Sequence, residues 1–229
     1  MFAVPIAGIA SDFTVGTLNY KIRENNTCTV DSYETPENPE PNLVIPSTVT
    51  YEGTTYTVVG IDFYAISDQE IETVEIPATV TYMEYSAFEN CVNLTTVTGC
   101  AGLTRMDEDV FKGCESLQSV SLGDNLETIG ENVFYECASL TEITGGAALK
   151  TIGNYAFYYC TGLTRFNFPK GLTTLGESCF EGSGLTEVKL PSTITALPAR
   201  LFCDCASLTN ADLSAPVSYT HLRAHETRG

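Results

Sequence analysis

Apolar residues recur along this chain at a fixed spacing of 23 positions. Counted from Leu117, the stretch LQSVSLGDNLETIGENVFYECAS is apolar at offsets 0, 3, 9, 12 and 17, with cysteine at offset 20. Leu117, Val120, Leu126, Ile129, Phe134 and Cys137 fill these slots. The following copy supplies Leu140, Ile143, Leu149, Ile152, Phe157 and Cys160, and the preceding one Leu94, Val97, Leu103, Met106, Phe111 and Cys114. Further copies begin at Ile71, Leu163 and Leu185; the Leu163 copy is one residue short and has Ser183 in the cysteine slot. A fixed period with constant apolar slots predicts a solenoid, in which each unit buries its apolar side only by stacking on its neighbours.

Within one period, L-x-x-V-x-L/I alternates apolar and polar residues, as a short strand with one buried face does. Stacked copies then place strands over 73–76, 96–99, 119–122, 142–145, 165–168 and 187–190 in one parallel sheet. Pro77, Pro169 and Pro191 follow these segments and end them, since a residue without an amide donor leaves a ladder without loss. Gly130, Gly153 and Gly176 at offset 13 predict a sharp reversal of the backbone. In ENVFYEC and NYAFYYC a small residue and Phe precede Cys at helical spacing, which predicts one or two helical turns opposite the sheet. The expected fold is therefore a right-handed solenoid of about seven stacked coils, with a short parallel sheet on one face and helical turns or loops on the other.

The ends read differently. Residues 1–10, MFAVPIAGIA, fit either the remainder of a secretory signal peptide cleaved after Ala10 or an apolar first strand. Residues 11–42 read as a strand and hairpin, followed by an acidic, proline-rich loop that cannot bury apolar area. The repeats occupy 43–213. Their first unit is interrupted by Tyr51-Glu52-Gly53-Thr54-Thr55-Tyr56, two β-rich arms about a Glu-Gly pair, as in a hairpin that caps the stack. Residues 214–229 have no repeat spacing, and VSYTHLRAHET resembles a translated sequencing-library adapter. His221 and His225 are set aside with that tail as non-native.

Composition narrows the function. Hydrophobic residues make up 43% of the 229 and charged residues 17%, which supplies one elongated core. A formal net charge of −18 argues against nucleic acid or anionic membrane as partner, because both attract Lys/Arg-rich surfaces. No segment reaches the roughly 18 to 20 apolar residues of a membrane span, so no membrane insertion is expected. Of nine cysteines, Cys91, Cys114, Cys137, Cys160 and Cys205 occupy the same repeat slot. Coils about 4.8 Å apart would bring neighbouring thiols near disulfide separation. Cysteine is also a frequent buried small hydrophobe, and a reduced ladder is the expectation. Thiols in a line, one per layer, do not converge on zinc. With the two histidines set aside, no Ser-His-Asp or Cys-His pair can be assembled. Glu108, Asp109, Glu127, Glu131, Glu181 and Glu187 fall on turns and repeat exteriors. No catalytic residue, metal or cofactor is assigned, and no enzymatic activity is expected.

Ile76-Pro77-Ala78-Thr79-Val80-Thr81 and Ile152-Gly153-Asn154-Tyr155-Ala156-Phe157-Tyr158-Tyr159-Cys160 follow the pattern I-P-x-x-V-T-x-I-G-x-x-A-F-x-x-C-x-x-L. That pattern resembles the BspA-type leucine-rich repeat of bacterial and protist surface proteins. The resemblance covers about residues 43 to 213, with departures at Gly99-Cys100 and at Pro198. It implies a leucine-rich-repeat-like fold, a secreted or cell-surface location, and adhesion to an extracellular protein or glycan. The alternative is a structural spacer within a larger cell-surface protein. A monomer is expected.

On each strand, offsets 2 and 4 point away from the core. That selects Thr73, Glu75, Thr96, Thr98, Ser119, Ser121, Glu142, Thr144, Arg165, Asn167, Glu187 and Lys189 as the candidate binding face. The face lacks aromatic anchors, which usually dominate protein-binding energy. Tyr82, Tyr85, Tyr135, Tyr155, Tyr158 and Tyr159 fall on the helical-turn side, where they either fill the stack or form a contact surface.

Overall fold

The computed structural model describes residues 11–37 and 40–212. The signal-peptide reading of 1–10 and the non-native reading of 214–229 fall on residues outside that range. Over the described residues the chain winds as a β-solenoid of about seven turns that carries three sheets.

Strands β4 (Asn42–Val44), β7 (Thr73–Ile76), β9 (Thr96–Gly99), β11 (Ser119–Ser121) and β13 (Glu142–Thr144) form one parallel sheet. Val74, Val97 and Val120, at offset 3, are each 1% exposed, so this is the half-buried strand that the alternating pattern predicts. The sheet does not run through every copy as expected. No strand forms at 165–168, and β16 (Glu187–Lys189) pairs instead with β17 (Asn210–Asp212) in a separate parallel sheet. Side-chain volume accounts for the break. Where the other copies place Val or Ile at offset 3 and Ile, Leu or Gly at offset 5, this one places Phe166 and Phe168. Their rings lie 4.9 Å apart and at 5.2 and 5.3 Å from Phe180. Two rings in aliphatic slots, in the one shortened copy, hold the backbone out of the ladder.

A second ladder, not anticipated from the sequence, runs beside the first. Parallel strands β6 (Thr54–Ile61), β8 (Tyr82–Met83), β10 (Arg105–Met106), β12 (Thr128–Ile129), β14 (Thr151–Ile152) and β15 (Thr174–Leu175) follow one another along the stack. At its start, β1 (Phe13–Val15), β2 (Leu18–Arg23) and β3 (Thr27–Tyr33) form an antiparallel meander whose last strand joins β6 in parallel. Strand β5 (Thr48–Tyr51) pairs with β6 across the expected Glu52-Gly53 turn, where φ is 47° and 79°. Phe13 stacks on Tyr20 at 5.3 Å and on Tyr51 at 4.6 Å, which closes this end of the core.

The helical turns expected opposite the sheet do not form. Asn132 and Glu136 adopt left-handed φ of 54° and 58°, and Tyr155 and Tyr159 repeat this at 52° and 53°. A left-handed residue cannot continue a right-handed helix. Backbone amides alternate instead between the next coil and their own turn. Asn132, Phe134 and Glu136 donate to the carbonyls of Asn154, Ala156 and Tyr158 at 2.9, 2.8 and 2.8 Å. The intervening Tyr135 and Cys137 amides close onto Asn132 and Phe134 at 3.0 and 3.1 Å.

The offset-13 glycines serve a different purpose from the reversal expected of them. Their φ is not left-handed, but a Cβ on Gly153 would lie 2.6 Å from the carbonyl carbon of Gly130 in the coil before. They let backbones approach. Gly153→Ala should therefore cost about 1 to 3 kcal/mol through overpacking. Gly171→Ala, whose Cβ would meet nothing closer than 4.0 Å, should stay within about 0.5 kcal/mol. Equal denaturation midpoints for the two variants would contradict the close approach.

The rings of Phe88, Phe111, Phe134, Phe157 and Phe180 stack along the core at 5.3, 5.6, 5.2 and 5.0 Å. Beside them, the free thiols of Cys91, Cys114, Cys137 and Cys160 donate to the carbonyls of Ile66, Phe88, Phe111 and Phe134 at 3.0, 3.2, 3.1 and 3.0 Å. In the same slot Ser183 Oγ pairs instead with the Cys205 thiol of the following coil at 3.3 Å, so the position accepts a small side chain that can hydrogen-bond along the stack.

Candidate functional site

The five-stranded sheet gathers two candidate residues from each of four strands: Thr73 and Glu75, Thr96 and Thr98, Ser119 and Ser121, Glu142 and Thr144. Register aligns them in rows, Thr73 with Thr96, Thr96 with Ser119, and Ser119 with Glu142. Glu75, Thr98, Glu142 and Thr144 are exposed, and the other four are half-buried. Thr73 Oγ1 donates to Asn42 Oδ1 at 2.7 Å. The remaining candidates are not part of this face. Arg165 and Asn167 lie on the segment that forms no strand, and Glu187 and Lys189 lie on the separate sheet beside Asn210 and Asp212. Arg165 reaches Glu187 at 3.8 Å, an exposed ion pair of small consequence. At the break a depression of about 240 Å³ opens, lined by Leu122, Ile143, Thr144, Gly145, Leu149, Phe166 and Asn167.

The second ladder presents an outer side that sequence reasoning missed. Tyr82 lies on β8 rather than on the turn side, and the Arg105 guanidinium sits 5.4 Å over its ring. Arg105 also lies 3.4 Å from Asp107. Nearby, Asp62 Oδ2 accepts from Arg23 Nη2 at 2.6 Å and from Thr29 Oγ1 at 2.8 Å. Burial pushes the Asp62 carboxyl up, and the Thr29 and Arg23 contacts partly offset this. Open depressions of about 670 and 430 Å³ flank the Tyr82 and Arg105 positions. The available signal was the polar residue preceding each buried offset-12 side chain, a two-residue alternation too short for periodicity to register.

Two acids expected on repeat exteriors are buried. Asp109 is 5% exposed and Glu181 2%. Lys112 Nζ lies 3.4 Å from Asp109 and 3.5 Å from Glu89. Arg200 grips both Glu181 oxygens, with Nε donating to Oε2 at 2.8 Å and Nη2 to Oε1. That pairing holds the Glu181 carboxyl below its ordinary range, so it stays ionised at neutral pH and is not poised to deliver a proton. Glu181, Cys203 and Asp204 offer possible metal-ligand atoms within 4.8 Å of one another, but the arginine already occupies the glutamate.

Tyrosines cluster on the turn side. Tyr135 and Tyr158 stack at 4.8 Å, Tyr158 and Tyr159 lie 4.7 Å apart, and Tyr155 meets Tyr158 edge-on at 5.7 Å. A second group, nearer the start of the stack, brings Tyr64 and Tyr85 to 5.3 Å, beside Phe63.

Parallel ladders repeating every 23 residues around one phenylalanine column define a leucine-rich-repeat solenoid. The BspA type leucine rich repeat region matches residues 43–163 and 128–226 in six copies, and the chain belongs to that family. The second matched span passes residue 213, where the sequence pattern alone ended the repeats. Among solved structures, a leucine rich repeat protein from T. pallidum is 21% identical over 85% of this chain and 78% of its own, with a TM-score of 0.60. A leucine-rich repeat protein from Bacteroides capillosus is 26% identical over 58% of this chain and 96% of its own, with a TM-score of 0.54. One from Eubacterium ventriosum is 25% identical over 73% of this chain and 50% of its own, with a TM-score of 0.55. No curated protein matches the chain. Among the described residues, no helix is long and apolar enough to cross a membrane.

Proposed function

We propose that this chain is a non-enzymatic binding module of a secreted or surface-held bacterial protein. In this reading it acts as a monomer and recognises an extracellular protein or glycan through the outer side of its solenoid. The observation that carries the proposal is the division of labour within each coil. Apolar slots and thiols are consumed in the core, while Thr73, Thr96, Ser119 and their row neighbours are held outward in fixed register. A stack of short rigid strands presents an extended surface whose side chains are spaced by the repeat itself. The acids with partners inside the coils, Asp109 and Glu181, are engaged by Lys112 and Arg200 rather than aimed at a substrate.

The test is a screen of the full chain against extracellular-matrix proteins and a glycan array. Saturable binding of at least one ligand is expected, weakened when Thr96→Lys and Ser119→Lys are introduced together. If no ligand binds saturably, the chain is a spacer that holds a neighbouring domain away from the cell wall.

A further inference from the structure

At offsets 18 and 19, four coils carry the polar or small pairs Glu89-Asn90, Lys112-Gly113, Glu181-Gly182 and Cys203-Asp204. Two consecutive coils depart from this with Tyr135-Glu136 and Tyr158-Tyr159. The other coils stack without rings in these positions; Tyr159 covers Gly182 of the next coil, where a Cβ would lie 2.8 Å from the ring, and still leaves much of its surface to solvent. Tyr159 is 40% exposed, and Tyr135, Tyr155 and Tyr158 are half-buried around it.

The surroundings select a ligand charge. Glu136 adjoins Tyr135, whose phenol is pushed up by burial and by that carboxylate. Glu177, whose carbonyl accepts the Tyr155 amide at 2.9 Å, is also exposed. The cations at the edges are already engaged, Lys112 by Glu89 and Asp109, and Arg200 by Glu181. Partly exposed rings beside the Glu136 carboxylate attract a guanidinium, through the ring quadrupole and through charge. The molecule uses the same pairing internally, where Arg105 lies 5.4 Å over Tyr82. A net charge of −18 steers cationic segments toward the surface.

We propose that the patch formed by Tyr135, Tyr155, Tyr158 and Tyr159 docks an arginine-rich segment of a partner protein. This rests on the reading of the chain as a binding module and gives that module a site and a ligand chemistry.

Fluorescence anisotropy of labelled Arg-Gly, Lys-Gly and Glu-Gly repeat peptides against the full chain tests it. The Arg-Gly peptide should bind saturably and more tightly than the Lys-Gly peptide, and the Glu-Gly peptide should not bind. The double variant Tyr158→Ser, Tyr159→Ser removes two rings and no charge, at offsets where other coils hold polar residues. It should weaken Arg-Gly binding about fivefold to thirtyfold. If its thermal melt is lowered, Tyr159→Ser alone, at the most exposed ring, should still weaken binding. Unchanged affinity in a folded variant would reduce the attraction to net charge and overturn the patch, as would no Arg-Gly binding at all. Saturable binding of a neutral glycan lost with these tyrosines, without Arg-Gly binding, would overturn the arginine ligand and leave the binding-module reading standing.

Discussion

Phe134→Ala should lower the unfolding free energy by about 3 to 5 kcal/mol. The ring is fully buried and stacked between Phe111 at 5.6 Å and Phe157 at 5.2 Å. Truncation removes both stacking contacts, each worth about 0.5 to 1.5 kcal/mol beyond area burial. It also leaves a cavity that the neighbours cannot collapse into, because the coils on either side are pinned by backbone bonds. The Phe111 amide donates to Val133 at 2.9 Å and the Phe134 amide to Ala156 at 2.8 Å. Phe202, half-buried at the end of the column and tilted 31° from Phe180, should lose less on the same change. Urea denaturation measures both. A parental midpoint for Phe134→Ala would mean that the column does not hold the stack together.

Alkaline pH should destabilise the fold steeply. Burial pushes the Cys28 thiol up to about 11 and the Cys91 and Cys100 thiols up to about 12. It pushes Cys114 and Cys137 well above the ordinary thiol range as well. In the unfolded chain each ionises near about pH 8.5. Above that pH the unfolded state releases protons that the native state keeps, so stability falls as pH rises. The contribution is fully present below the ordinary thiol pKa and is lost progressively toward the raised native values. Each such thiol contributes a slope of about 1.4 kcal/mol per pH unit across that window. The urea midpoint should therefore be nearly flat from about pH 6 to 8 and fall sharply from about pH 9 to 11. Native alkylation at neutral pH should leave Cys114, Cys137 and Cys160 unlabelled until the chain unfolds. A pH-independent midpoint, or linked peptides joining adjacent coils, would contradict a ladder of buried, protonated thiols.

The slots that repeat in every copy are legible in the sequence itself. Phe111, Phe134 and Phe157, with Cys114, Cys137 and Cys160, declare the period, and Val97 and Val120 declare the strand. Features that arise only between coils are not. Thr128-Ile129 and Thr151-Ile152 are too short to read as strands; they are strands because stacking aligns them. The small-Phe-Cys spacing imitates a helix, while the opposing signal lies in Asn90, Asp109, Gly113 and Asn132, residue types that tolerate left-handed φ. Phe166 and Phe168 satisfy the apolar pattern but exceed its volume, and a pattern of apolar and polar positions carries no volume. Burial of Glu181 depends on Arg200 in the neighbouring coil, a partner no local window contains. For the candidate surface, the outward direction of Thr73 through Thr144 follows from alternation. The loss of Arg165, Asn167, Glu187 and Lys189 from that face follows from the break.

Every surface described rests on coils that bond to coils at the corner where a helix was expected. Scalar couplings across hydrogen bonds, measured by NMR on an isotopically labelled chain, observe those bonds directly. The account predicts couplings from the amides of Asn132, Phe134 and Glu136 to the carbonyls of Asn154, Ala156 and Tyr158, at donor distances of 2.9, 2.8 and 2.8 Å. A coupling from Phe134 to the carbonyl of Gly130, four residues back in its own coil, would mean a helical turn and would contradict it.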